Sequence, residues 1–541
     1  MGLQNNFLFI AFLIISFIAL ETWQVEFSDP ENFNKENKVE KKNIIENKIF
    51  EKQNNFITII TDLLILKINT YGGNIEEVSL RTYFEDLENK NLLKLLETSK
   101  DFIYQAESGL IKSYKIKNNN TEIHPIFKSE KNTYVLSDTL NNLSVSMIYD
   151  DNLGMKYTKN FVFTKNSFAF KINHKIQNYG NNPIEIALFS QLKQSIETKN
   201  INENYNFNFH TYRGAAYSSD DHKYKKYEFN DIKNNKHLNI TTMSGWIAML
   251  QQYFLVAWIP EQMYKYHFYT ENFYDQDQVI IGFKSYPISI LQGEEKNIQS
   301  TLWIGPKLQN TIKTVANHLN LTIDYGWLWF IAQPLFKMLT WIYKYTNNWG
   351  VSIILITFIV RGLMYPLTKS QYTSMAKMRI LQPKIVNIKN KFSQDKHRQS
   401  QEMIALYKKQ KVNPLGGCMP LFIQMPIFLA LYYMLSGSVE LRHAPFMLWI
   451  YDLSEKDPYY ILPVIMGITM FLIQKMSPST HVDPMQKRIV TFIPLIFTIF
   501  FLWFPSGLVL YYIVSNLVTM MQQYVIYKGL KRKGIYTENI N

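Results

Sequence analysis

The chain has 541 residues and a formal net charge of +13. That length holds two or more structural units, while a mean hydropathy of −0.15 is too polar for a protein built only of membrane helices. Its one cysteine, Cys418, excludes an intramolecular disulfide, and the basic balance points to nucleic acid or to an anionic membrane surface.

The first apolar run is FLFIAFLIISFIALETW, Phe7 to Trp23. No Lys or Arg precedes it and no small-residue cleavage site follows Leu20. It therefore reads as an uncleaved transmembrane anchor over residues 1–23 rather than a signal peptide. Residues 24–53 are polar and charged and read as a linker. Strand-like runs then recur, from FITIITDLLILKINTYGG to NIQSTLWIGP, and predict a large all-β sandwich over 54–326. Its histidines are scattered, without the spacing of a metal site.

In WLWFIAQPLFKMLTWIYKY, residues 327–345, Gln333, Lys337, Thr340 and Lys344 fall on one stripe of a helix and apolar residues cover the rest. That pattern predicts an amphipathic helix lying in the membrane interface. Five further apolar runs predict spans over 346–368, 412–435, 459–474, 489–504 and 507–527, the last two joined by Pro505 and Ser506. With the anchor the expected count is six transmembrane helices, one N-terminal anchor plus a five-helix core.

Loop charge sets the orientation. The segment 369–411 carries eleven basic residues against two acidic ones, a net +9. The loop 436–458 is net −2, the loop 475–488 is net +2, and the tail 528–541 is net +3. The basic segments belong in the cytoplasm. An even number of spans puts both termini there and the β domain on the other side, in the periplasm of a Gram-negative cell. The segment 369–411 shows helical spacing on both sides of SQDKHRQS and predicts a basic helical hairpin, with Lys377, Arg379, Lys384, Lys389, Lys391 and Arg398 on it. Its charge fits either contact with ribosomal RNA or the positive-inside bias alone.

Arg361 stands inside the second span, seven residues before Thr368. A central arginine costs about 2.5–3.5 kcal/mol on insertion scales. Seven residues of helix rise about 10 Å, more than the side chain reaches by snorkelling. The other core spans contain no Asp or Glu to pair with it. Water in a polar pocket is the remaining rescue, lined by Thr357, Gln424, Tyr511, Tyr512, Ser515 and Asn516. A cation in such a pocket, under a basic cap, is poised for an acidic or polar group arriving from the cytoplasm.

The runs ITFIVRGLMYPLTKSQYTSMAKM, LQPKI, KVNPLGGCMPLFIQMPIFLALYYML, MFLIQKMSP and FLWFPSGLVLYYIVSNL resemble those of the bacterial YidC family of membrane protein insertases. The likeness runs from about Trp327 to Leu530, with a looser match in the β domain. It implies a supersandwich periplasmic domain similar to sugar mutarotases. It also implies insertion and folding of newly made membrane proteins, alone or beside the Sec translocon. The groove arginine of that family corresponds to Arg361, and its groove and client-contact positions to Thr357, Met425, Pro426, Phe428, Phe500 and Tyr512. The expected partners are nascent membrane proteins, the Sec translocon, membrane lipids and the ribosome through the basic loops and tail. No phosphate-binding G-x-x-x-x-G-K-[ST] run and no catalytic constellation occurs, so the chain reads as a non-enzyme without cofactor or metal. A secondary transporter would need inverted repeats. An anchored sugar enzyme would leave five spans unexplained.

Overall fold

The computed structural model describes residues 56–533 except 88, 114–120, 124, 152–153, 198–211, 235, 274–276, 411, 413–418 and 477–483. The chain divides into two compact units, Met1–Gln53 and Asn54–Asn541. The expected anchor, the linker, Cys418 and the C-terminal residues after 533 lie outside the described residues.

Strands fill the region from Phe56 to Pro306 and form one twelve-stranded and one eight-stranded sheet. Alternation sets their faces. In Met155–Thr164 every second side chain is buried, which puts Met155, Tyr157, Lys159, Phe161 and Phe163 in one inward row. The neighbouring strand, Ala169–Asn178, pairs antiparallel with it and places His174 opposite Lys159. Strands such as Ile184–Ser195 and Phe254–Pro260 are buried on both faces. Trp258 Nε1 donates to Gln191 O at 3.1 Å and ties sheet to sheet. Lys159 does the same, its Nζ donating to Gly73 O at 2.7 Å and to Ser108 O at 2.9 Å.

The helices follow in chain order: α1 (Trp329–Thr346), α2 (Trp349–Leu363), α3 (Tyr365–Lys391), α4 (Lys396–Lys409), α5 (Met419–Gly437), α6 (Ile461–Met476), α7 (Pro484–Phe500) and α8 (Ser506–Arg532). In α1, Ala332, Leu335, Phe336, Leu339 and Ile342 are buried, while Trp329, Phe330, Trp341 and Tyr345 stay exposed. Asn348 starts α2, its side chain accepting from Val351 N at 3.0 Å. Asp457 organises the start of α6: its carboxylate accepts from Trp449 Nε1 at 3.0 Å, Tyr459 N at 3.1 Å and Leu462 N at 2.7 Å.

The helix expected over 346–368 stops at Leu363, and a 60° bend separates it from α3. Pro366 stands in the first turn of α3 and has no N–H to continue the ladder. The two helices therefore meet at Met364 rather than at Thr368. Other expected bounds shift by a few residues, and α8 runs on to Arg532. Among the described residues no single helix is long and apolar enough to cross a membrane, whereas the bent pair α2–α3 qualifies together. With 15 residues α2 rises only about 22 Å, against roughly 30 Å of bilayer hydrocarbon.

The β-rich part meets the helices through specific contacts. Gln252 Nε2 donates to Ser436 O at 3.0 Å, and Arg442 Nη2 donates to Glu85 O at 3.2 Å. The same guanidinium lies 5.7 Å from the centre of the Phe254 ring. Two residues earlier Glu440 is half-buried, and desolvation pushes its carboxyl up to about 7.

Candidate functional site: a cationic groove around Arg361

Arg361 lies in the last turn of α2 and is half-buried. Its Nε donates to Ser515 Oγ at 2.6 Å across the contact with α8. No carboxylate pairs with it among the described residues, and its two terminal amino groups make no hydrogen bond there. Seven residues further along α8, Gln522 Nε2 donates to the Arg361 backbone carbonyl at 2.9 Å. Positions seven apart share one face of a helix, so α8 holds both the side chain and the main chain of Arg361.

A second polar layer surrounds this one. Gln424 Nε2 of α5 donates to Tyr511 OH at 3.1 Å. Asn516 Nδ2 donates to Thr469 Oγ1 of α6 at 3.0 Å. Tyr511 and Tyr512 both lie within electrostatic reach of Arg361. The apolar wall is aromatic. Phe428 meets Tyr512 edge-on with ring centres 5.8 Å apart, Phe501 stands 5.2 Å from Tyr512, and Phe500 packs 4.8 Å from Phe504.

The structure thus joins Arg361, Ser515, Tyr511, Tyr512, Gln424 and Phe428 in one region. Met425 is 38% exposed and Pro426 half-buried one helical turn before the aromatic wall. Thr357 lies one turn before Arg361 on the same face of α2. It is fully buried, and its hydroxyl donates to Ile353 O of its own helix at 2.6 Å. Sequence reasoning missed Gln522 and Thr469, although the seven-residue spacing from Ser515 to Gln522 was a usable signal.

In the hairpin, Lys384, Lys391 and Arg398 are exposed, while Lys377, Arg379 and Lys389 are half-buried. Leu381, Ile385 and Val412 form its small core, against Met403, Leu406 and Tyr407 of α4. Tyr372 and Ala376 of α3 pack on Ile526 and Leu530 of α8 and anchor the hairpin to the bundle. No group of metal-ligating side chains capable of holding an ion occurs among the described residues.

Residues 341–533 match the family described as the 60Kd inner membrane protein, and residues 56–338 match the YidC periplasmic domain. The chain is 66% identical over 487 residues to the membrane protein insertase YidC of Wigglesworthia glossinidia brevipalpis, covering 90% of each protein. The chain belongs to the YidC family of membrane protein insertases. It is a membrane protein insertase of the inner membrane, its β-rich part is the periplasmic domain of YidC, and its clients are newly made membrane proteins.

Two solved structures are also similar. A crystal structure of an active YidC insertase with its first transmembrane domain resolved is 19% identical and covers 87% of this chain and 92% of that one, with a TM-score of 0.38. A galactose mutarotase related enzyme from Lactobacillus acidophilus is 10% identical over 46% of this chain and 97% of its own, with a TM-score of 0.31.

Proposed function

We propose that insertion proceeds through the groove at Arg361. A polar or acidic segment of the client enters from the cytoplasm and pairs transiently with the guanidinium. The adjoining apolar segment then passes into lipid beside α5 and α7. Burial at about 25 cal/mol per Å² supplies the drive, and the membrane potential adds about 2.3 kcal/mol per charge per 100 mV for acidic segments moving outward. The observation that carries this reading is the state of Arg361: a half-buried cation held through Nε by a neutral hydroxyl, with no carboxylate partner among the described residues. Had an acid paired with it, a client would first have to displace that acid.

Groove contacts for the client fall to Gln424, Met425, Pro426, Phe428, Phe500, Tyr511, Tyr512 and Ser515, with Thr357 one turn before Arg361 on the same face of α2. The topology of this reading has six spans, with both termini in the cytoplasm and the net +9 hairpin beneath the groove. The Sec translocon and the ribosome are its further partners, the latter through the hairpin and the tail. Insertion needs no bond-making step, and the chain acts as a non-enzyme.

The test uses the single cysteine. Cys418→Ser removes it, and Met425→Cys or Gly362→Cys introduces one at an exposed position. A membrane-impermeant thiol reagent is then applied from the cytoplasmic side, with and without a ribosome-stalled nascent membrane protein. Labelling that the nascent chain blocks supports the groove. Labelling absent in both states overturns it.

A further inference from the structure

We infer that Gln522 is a positioning residue for insertion: it holds the break between α2 and α3 so that Arg361 faces the client. The inference rests on the groove reading above.

The bond from Gln522 Nε2 to the Arg361 carbonyl is 2.9 Å long. A carbonyl only accepts, so the amide nitrogen must be the atom facing it, which settles the orientation of this side chain. The carbonyl is available because of where it sits. The last carbonyls of a helix lack intrahelical partners, and α2 ends two residues later at Leu363. Pro366 then supplies no N–H to carry the ladder on. The 60° bend leaves that carbonyl open to an outside donor.

The same helix grips Arg361 twice. Ser515 accepts from Nε and Gln522 donates to the main chain, one heptad apart on α8. Gln522 therefore sets the backbone from which the guanidinium projects, and Ser515 sets the rotation of its plane. At the next residue nothing crowds the chain: a Cβ added at Gly362 would meet no atom within 4 Å. At the bend itself the hydrogen bond from Gln522 is the contact to α8, and further along α3 Tyr372 and Ala376 pack on Ile526 and Leu530. The Oε1 atom of Gln522 is buried with no partner among the described residues.

Two clients separate positioning from general structure, one with an acidic translocated segment and one with the same segment neutralised to Asn and Gln. Insertion is followed by protease protection in proteoliposomes of the full chain. Gln522→Leu should lower insertion of the acidic client about fivefold, the factor of one hydrogen bond of roughly 1 kcal/mol, and leave the neutral client within twofold. Gln522→Glu keeps the shape, loses the donor and turns a carboxylate toward the Arg361 carbonyl. It should lose the acidic client more completely than Gln522→Leu while still inserting the neutral one. In parallel, spin labels at Leu355→Cys on α2 and Lys384→Cys on α3, in the Cys418→Ser background, report the bend by pulsed electron resonance. Gln522→Leu should broaden that distance distribution, and Ser515→Ala should not.

Equal loss of both clients with Gln522→Leu, or an unchanged distance distribution, overturns the inference. Arg361→Ala distinguishes the two levels of the argument. If it spares the acidic client, the groove reading and this inference fall together. If it removes the acidic client while Gln522→Leu does not, only the role of Gln522 falls.

Discussion

Ser515 Oγ accepts a hydrogen bond of 2.6 Å from Arg361 Nε, and Ser515 is itself buried at the contact of α8 with α2. A neutral hydroxyl orients the guanidinium without neutralising it. Arg361→Ala should cut insertion of a client with an acidic translocated segment tenfold or more, the factor equivalent to about 1.4 kcal/mol. Arg361→Lys keeps the charge, lacks the planar fork, and should fall between. Ser515→Ala should cost less than Arg361→Ala, because it removes only the orienting bond. Protease protection of the inserted client measures all three, and equal activity of Arg361→Ala and the parent would refute the charge-pairing step.

Lys159 and His174 face each other inside the β domain, and both are fully buried in the sandwich. His174 Nδ1 is bonded to Tyr157 OH at 2.6 Å, and its Nε2 has no partner among the described residues. Burial, reinforced by the nearby Lys159 charge, holds the imidazole well below its usual 6.5. Burial likewise pushes the Lys159 amine from 10.5 down to about 7, against a smaller opposing pull from Glu107. On unfolding both groups regain their ordinary affinity for protons. Below 6.5 for His174, and between about 7 and 10.5 for Lys159, the unfolded chain binds more protons than the folded one. Stability therefore rises with pH through both windows. Hydrogen exchange of the strand Met155–Thr164, corrected for intrinsic rates, should show stronger protection at pH 9 than at pH 6 in the full chain. Lys159→Met should flatten the alkaline part of that slope.

Gly467 brings α6 against α7. A Cβ there would collide with Thr498 Oγ1 and lie 3.2 Å from Thr498 Cβ. That hydroxyl is already bonded to Pro494 O at 2.8 Å, so it does not swing away freely. Gly467→Ala should destabilise the bundle by about 1–3 kcal/mol, the usual cost of overpacking. Gly529→Ala on α8 is the matched control, since its Cβ would meet nothing within 4 Å, and helix propensity favours alanine by up to about 1 kcal/mol. Thermal unfolding in detergent should move in opposite directions for the two variants.

Asp457 is buried to 1% exposure and accepts three hydrogen bonds that join the loop before α6 to the start of that helix. Asp457→Ala strands an indole N–H and two backbone N–H groups, each at a cost of about 1–3 kcal/mol if left unmet. The expected loss exceeds that of an ordinary exposed cap, roughly 1 kcal/mol. Asp457→Asn keeps an acceptor and should recover part of it. The melting temperature of the purified full chain, with Trp449 fluorescence as a local reporter, measures both.

Much of the architecture was legible in the order of residues. Period-two alternation marked strands such as Met155–Thr164, and long apolar runs marked α5 to α8. The interruption at Arg361 marked the polar site, because a cation in an apolar run has few physical rescues. Ser515, Tyr511 and Gln424 were legible as polar residues in apolar helices. Two features were not. Thr357 faces a packed helix contact, and its hydroxyl turns back on its own helix; helical periodicity places a residue on a face without saying what covers that face. The break at Met364 was hidden because the apolar pattern runs on through it, while Pro366 and the approach of Gln522 end the helix.

What the sequence alone determined is what depends on near neighbours and on totals. Strand and helix character follow from side-chain period, and membrane affinity from apolar length. Those interactions act within a few residues, or sum over a segment, and need no fold to be evaluated. Tertiary structure alone decided which distant groups meet. Lys159 reaches carbonyls 86 and 51 residues away in the chain, and Ser515 meets a guanidinium 154 residues upstream. Hydrogen bonds and close packing act over a few ångströms, so such pairs exist only once the sheets have stacked and the helices have packed.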